Sequence, residues 1–324
     1  MAQQLRAIKR RIGSVKSTQK ITRAMELIAS SRIIKAQQRV DEARPYAEAM
    51  RRLMASVGKN AGNIDHPLLR QQDEVGTVGL IVITADRGLA GAYNSNVIRA
   101  AERDMHEHGD TKLFLSGKKG VTYFKFRGYD FEDSWIGHSD QPRIDDAREV
   151  AEAVSEAFSN GDVDEVRIAY TKYESALTQR ARVTKLLPVP REELEQDDEP
   201  QEGSGAQYVF EPEPQDILGY LLPRYIEGSV YQGMLEAAAS EHAARRRAMK
   251  AATDNADELI EGLTRTYNQA RQAEITTEIM EVVGGAEALR GDTSPDASAS
   301  QHRSHFPSAD TSADPGGSAS RTAQ

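Results

Sequence analysis

The chain has 324 residues, 39% hydrophobic and only 6% aromatic, with a net charge of −9. It has no cysteine, which excludes disulfides, thiolate metal centres and cysteine nucleophiles. No apolar run approaches the roughly 18 residues of a membrane span, and no secretory h-region opens the chain.

At about 150 residues per domain the length allows two units. The scarcity of large apolar residues suits a long coiled coil, whose core is a narrow stripe. Charge is uneven: residues 1–60 hold fourteen Lys/Arg against four Asp/Glu, which leaves the remainder strongly acidic. A basic arm on an acidic body points to an acidic surface facing that arm.

From Leu5 the spacing predicts a helix. Leu5, Ile8, Ile12 and Val15 are three and four apart, Ile21, Met25 and Ile28 extend the stripe, and after a slip near Arg32 it resumes from Ala36 through Val40, Met50 and Met54 to Val57. This reads as a heptad seam with one stutter. Pro45 is expected to kink or restart the helix. Residues 58–74 read as a loop.

The texture changes at Val78. The apolar run 78–84 reads as a strand buried on both faces, and further strands are expected near 112–115, 131–135, 166–170 and 181–187, the last two as an antiparallel pair. Helices at about 94–108, just after Gly120, and at 145–159 alternate with them, which implies a mostly parallel sheet covered on both sides. Residues 191–216 are acidic and rich in Pro and Gly, a surface excursion. Helix returns from Ile217. Its expected seam is Ala252, Ala256, Leu259, Leu263, Thr266, Ala270, Ala273, Thr277 and Met280. Residues 291–324 are too polar to offset ordering entropy and read as disordered. The organisation is thus 1–57 and 217–290 as helices of one antiparallel two-helix coiled coil, with an inserted Rossmann-like α/β domain at 75–190.

A seam of Ala and Thr is weakly adhesive but lets helix axes approach closely. Its simplest partner is the bulkier, basic N-terminal helix. Pairing Val57 with Leu218 brings Met1 opposite residue 274, so residues 275–289 project alone, with Ile275, Ile279, Met280, Val282 and Val283 exposed unless another protein encloses them.

Enzyme readings find little support. Gly88 and Gly91 follow a strand, where a phosphate could rest on a helix N-terminus, but G-x-G-x-x-G spacing is missing. The SGKKG run at 116–120 lacks the upstream glycine of a P-loop. The alternative reading is a nucleotide-binding α/β protein with a coiled-coil interaction arm. Lys9, Arg10, Arg11, Lys16, Lys20 and Arg23 could meet DNA phosphates, but they are interleaved with the seam and the body is acidic. His106 and His108, two apart on a helix, point apart. No catalytic, cofactor or metal residue is picked out.

Four stretches carry a family resemblance: TQKITRAMEL (18–27), DRGLAG (86–91), MKAATDNA (249–256) and ITTEIMEVVGGAEA (275–288). In order and spacing they resemble the gamma subunit of bacterial-type F-type ATP synthases over about residues 1–290. The resemblance implies a central-stalk rotor without bond chemistry of its own, transmitting torque between a membrane c-ring and a hexamer of three alpha and three beta subunits. It also implies an epsilon partner, no cofactor, no nucleic acid, and peripheral association with the cytoplasmic side of a plasma membrane. By the same resemblance Met25, Arg271, Gln272, Thr276 and Glu278 contact beta, and Tyr208, Phe210 and Glu211 contact the c-ring. Ala90 stands where some relatives carry Cys, and the chloroplast type's regulatory insertion is missing.

Overall fold

The computed structural model describes residues 2–60, 66–70, 74–189 and 214–291. The expected acidic excursion (up to residue 213) and the tail (from 292) lie outside the described residues. Two very long helices bracket a five-stranded sheet: α1 is Ala2–Asn60 and α5 is Pro214–Gly291. Between them run β1 (Thr77–Ile83), α2 (Tyr93–His108), β2 (Asp110–Ser116), α3 (Lys118–Phe126), β3 (Asp133–Trp135), α4 (Ile144–Ser159), β4 (Glu165–Tyr173) and β5 (Gln179–Leu187). The strand order is β3-β2-β1-β4-β5. All neighbours are parallel except β4 and β5, which form the expected antiparallel pair.

The continuous apolar texture of β1 has its cause in two covered faces. On one, Leu80, Val82, Leu113 and Leu115 meet Val97 and Ala101 of α2 and Phe124 of α3. On the other, Ile81, Ile83, Val166 and Ile168 pack with Val150, Val154 and Phe158 of α4, Met50 and Met54 of α1, and Leu222, Ile226 and Val230 of α5. Gly233 lets α5 lie close to the sheet, since a Cβ there would come 3.1 Å from Ile168 Cδ1. Residues 233–243 of α5 are buried on every side, enclosed between the sheet and α1.

The helices run antiparallel. Gln19 Nε2 donates to Asp257, the Thr22 and Thr253 hydroxyls are 2.8 Å apart, and a Cβ on Gly228 would lie 3.5 Å from the Tyr46 ring. Two expectations about the seam need correction. The inward face of α1 keeps spacings of three and four from Leu5 to Val57 without a stutter, passing through Gln19, Thr22, Glu26, Ala29 and Ile33. Ile21 and Ile28, assigned to the seam, are 60% and 54% exposed. The slip near Arg32 came from following these two large residues onto a different face. On α5 the inward positions are Thr253, Ala256, Ile260, Leu263, Tyr267, Ala270 and Glu274, while Leu259, Thr266 and Ala273 point outward. Every second assigned position was one residue early, because two heptad registers share alternate positions. Pro45 is exposed within α1, and the helix does not restart there.

Candidate functional site

A doubly wound sheet binds ligands outside the carboxyl ends of its strands, where strand order reverses. Here that point lies between β1 and β4, and the middle of α5 lies against it, leaving beside it a cavity of about 370 Å³ lined by Ala90, Tyr93, Asn96, Thr171 and Ser240. Ser240 Oγ on α5 donates to Thr171 O at the end of β4 (3.1 Å). Beside it Arg245 Nη2 bonds Glu241 Oε1 at 2.5 Å, with side chains 9% and 1% exposed, and also donates to Gly88 O at 3.2 Å. Burial pushes the Glu241 carboxyl up against the opposing pull of Arg245. Burial, reinforced by Glu241, holds the Tyr93 hydroxyl well above its ordinary value. His242 is fully enclosed: Arg245 Nη1 donates to Nδ1 (3.4 Å), Nε2–H faces Asp140 O (3.4 Å), and burial lowers its pKa to about 4. The imidazole is therefore neutral near pH 7.

The glycine turns serve backbone packing. Gly117 adopts φ +97°, and a Cβ there would fall 2.1 Å from Thr84 O; one on Gly120 would fall 2.9 Å from Thr84 Oγ1. The N-terminus of α3, a natural anion seat, is already capped. The Asp86 carboxylate accepts from Lys118 N (2.9 Å), Gly137 N (2.9 Å) and Ser139 N (3.0 Å). Burial raises the Asp86 pKa, but these donors outweigh it and leave the group below its ordinary value. The helix terminus that a phosphate would use is thus occupied by the protein's own Asp86 carboxylate. Asp104, Glu107 and His108 bring ligand-type atoms within 4.8 Å of one another, but Asp104 is committed to Arg167. Asp140 accepts from Arg32 (2.6 Å) and forms an ion pair with Arg87 (3.2 Å), joining α1 to the loops at the top of the sheet.

Large exposed features also run along the shaft. Beyond Glu274 every residue of α5 through Leu289 is exposed, including Ile275, Ile279, Met280 (69%), Val282 (72%) and Val283. This matches the projection expected from helix lengths. Thr276 and Glu278 sit exposed on this segment and Arg271 and Gln272 exposed in the turn just before it, with Thr276 Oγ1 donating back to Gln272 O (2.9 Å). Met25 is half-buried on α1, beside an outward apolar ridge of Ile21, Leu27, Ile28 and Ile34 that is more than half exposed at each position. The structure thus brings Arg271 through Glu278 together on one helix and leaves Met25 far along the shaft. Tyr208, Phe210 and Glu211 lie outside the described residues. Sequence reasoning missed the Glu241–His242–Arg245 network. The signal was present as charged residues inside an Ala-rich helical run, but nothing local distinguishes it from a solvated face.

A family model described as ATP synthase matches residues 4–289. The ATP synthase gamma chain of Acidothermus cellulolyticus is 49% identical over 297 residues, covering 89% of this chain and 98% of its own. That of Frankia casuarinae is 48% identical, covering 90% of this chain and 100% of its own. Among solved structures, a chain of the Euglena gracilis mitochondrial ATP synthase (OSCP/F1/c-ring) superposes with a TM-score of 0.63 at 18% identity, over 93% of this chain and 100% of that one. A chain from the central stalk and c-ring of the Tetrahymena thermophila enzyme gives 0.54 at 24% identity, over 72% of this chain and 99% of that one.

Proposed function

The chain belongs to the ATP synthase family as a gamma chain and is a central-stalk subunit, and from that premise we propose that α1 and α5 form a coiled-coil axle whose projecting end turns inside a sleeve of three alpha and three beta subunits. One observation carries the reading: an unbroken helical end, exposed on all sides and rich in Ile, Val and Met, extends past the point where its partner helix stops. Free in water such a surface is a liability, and an enclosing partner removes it. Arg271, Gln272, Thr276 and Glu278 on that end, and Met25 beside the outward ridge of α1, are the contacts to beta. The head at 75–190 and the lower shaft rest on the c-ring and an epsilon subunit. Tyr208, Phe210 and Glu211 are proposed as c-ring contacts from the sequence resemblance alone. We infer that the subunit does no bond chemistry of its own, a reading supported by the buried Glu241, His242 and Arg245 side chains being bonded to one another. It joins the membrane from the cytoplasmic side through the complex, and no helix among the described residues is long and apolar enough to cross a membrane.

The absence of cysteine makes the test clean. Thr22→Cys with Thr253→Cys should cross-link on oxidation, since the native hydroxyls are 2.8 Å apart. With a bead attached through Phe126→Cys, an 87% exposed site on the head, ATP should drive rotation of the assembled complex. The bond within the rotor should leave that rotation intact. Failure to assemble with alpha and beta, or a bead that stays still while ATP is hydrolysed, refutes the axle.

A further inference from the structure

A groove of about 330 Å³ lies between the lower part of α1, the edge strand β5 and α5. That is within the size range of small-ligand sites. Its lining includes three cations, Arg51, Arg182 and Lys185, and no carboxylate, in a chain whose net charge is −9. Lys185 is neutralised, because its Nζ sits 2.8 Å from Glu165 Oε2. The two guanidiniums are not: among the described residues neither Arg51 nor Arg182 has a carboxylate within ion-pair distance. Arg182 is held in place by a neutral group. Its Nε and Nη2 donate to the Tyr170 hydroxyl at 3.0 and 2.5 Å, and its guanidinium carbon lies 5.2 Å from the Tyr170 ring centroid. A positioned guanidinium whose Nη1 edge is unspent, a second guanidinium on the facing helix, and the hydroxyls of Thr184 and Ser229 match a multivalent oxyanion, while Gln232 donates to Glu236 behind the groove.

We propose that this groove binds a small phosphate-bearing anion, with Arg51 and Arg182 as its two clamps. A phosphate offers each fork a pair of oxygens and carries charge enough for both, which a single carboxylate does not. The site lies away from the strand ends at the switch point and away from the projecting end of α5. It stands or falls independently of the rotor assignment.

The test is isothermal titration of the full-length chain with inorganic pyrophosphate at physiological ionic strength, where diffuse charge attraction is screened. The expected result is saturable binding at one site. Arg51→Gln and Arg182→Gln should each weaken it about tenfold or more, the scale of one charge-assisted hydrogen bond. Arg182→Lys, which keeps charge but loses the fork, should fall short of wild type. Arg6→Gln with Arg10→Gln, exposed on the same helix, should leave binding unchanged. Because Arg51 lies on the helix surface with no ion pair to lose, Arg51→Gln tests the site even if changes at Arg182 perturb the sheet edge. Citrate competing as well as pyrophosphate would overturn the phosphate assignment. Equal loss in the Arg6/Arg10 control, or no saturable binding at all, would overturn the site.

Discussion

Replacing Arg245 by Met removes one member of a buried ion pair and keeps most of the side chain's length. Glu241, 1% exposed, then faces no cation at 2.5 Å, and the Arg245 bond to Gly88 O is lost as well. Removing one partner of a buried pair costs about 3–5 kcal/mol, a large share of a typical stability of about 5–15 kcal/mol. The loss depends on pH, and its sign follows from linkage. Burial already raises the Glu241 pKa, Arg245 opposes that rise, and Asp140 adds to it. Without Arg245 the folded pKa climbs further. Between the ordinary carboxylate pKa and that raised value the native state holds a proton the unfolded state has released, so stability falls as pH rises through the window. The deficit of Arg245→Met relative to wild type should therefore be largest near pH 7.5 and shrink toward pH 5. Glu241→Gln combined with Arg245→Met should recover most of the loss, because no buried charge remains. The assay is urea unfolding followed by the single Trp135, which packs against the core beneath the sheet. A cost below about 1 kcal/mol for Arg245→Met, or a double variant no more stable than the single, would refute the account of this pair.

His242 has the opposite sign. Its pKa falls from 6.5 to about 4 on burial, so the unfolded chain takes up a proton first; the stability it contributes is complete above pH 6.5 and lost as pH falls toward 4, up to about 3 kcal/mol. His242→Gln should flatten that acid slope in the same unfolding assay. Gly117→Ala should cost on the order of 3 kcal/mol or more, from its positive φ and the collision with Thr84 O, whereas Gly284→Ala, with nothing within 4 Å, should stabilise its helix by roughly 0.5–1 kcal/mol.

Much of the fold was legible because it rests on local periodicity. The apolar run at 78–84 reads as a doubly buried inner strand, one residue off the observed Thr77–Ile83, and the spacing at both ends reads as helix. Element ends were read to within a few residues in the head. The projecting segment was also legible, since it follows from counting two helices of unequal length at equal rise. Other features had no local mark. Asp86, Glu241, His242 and Arg245 read as ordinary polar residues until the loops at the strand ends and the middle of α5 are brought together. Their burial is a property of that meeting alone.

Sequence by itself determined that both ends are helical, that they can pair, and which end outlasts the other, because rise per residue and 3.6-residue periodicity belong to the backbone. Only the tertiary structure decided which face of each helix turns inward. On α1 Thr22 and Ala29 are enclosed while Ile21 and Ile28 face out; on α5 Ile260 turns in and Leu259 does not. Both helices carry apolar residues on more than one face, so hydrophobicity marks several candidate seams. The choice belongs to the partner's position, where small residues allow the two backbones to approach and the larger apolar ones remain for another surface.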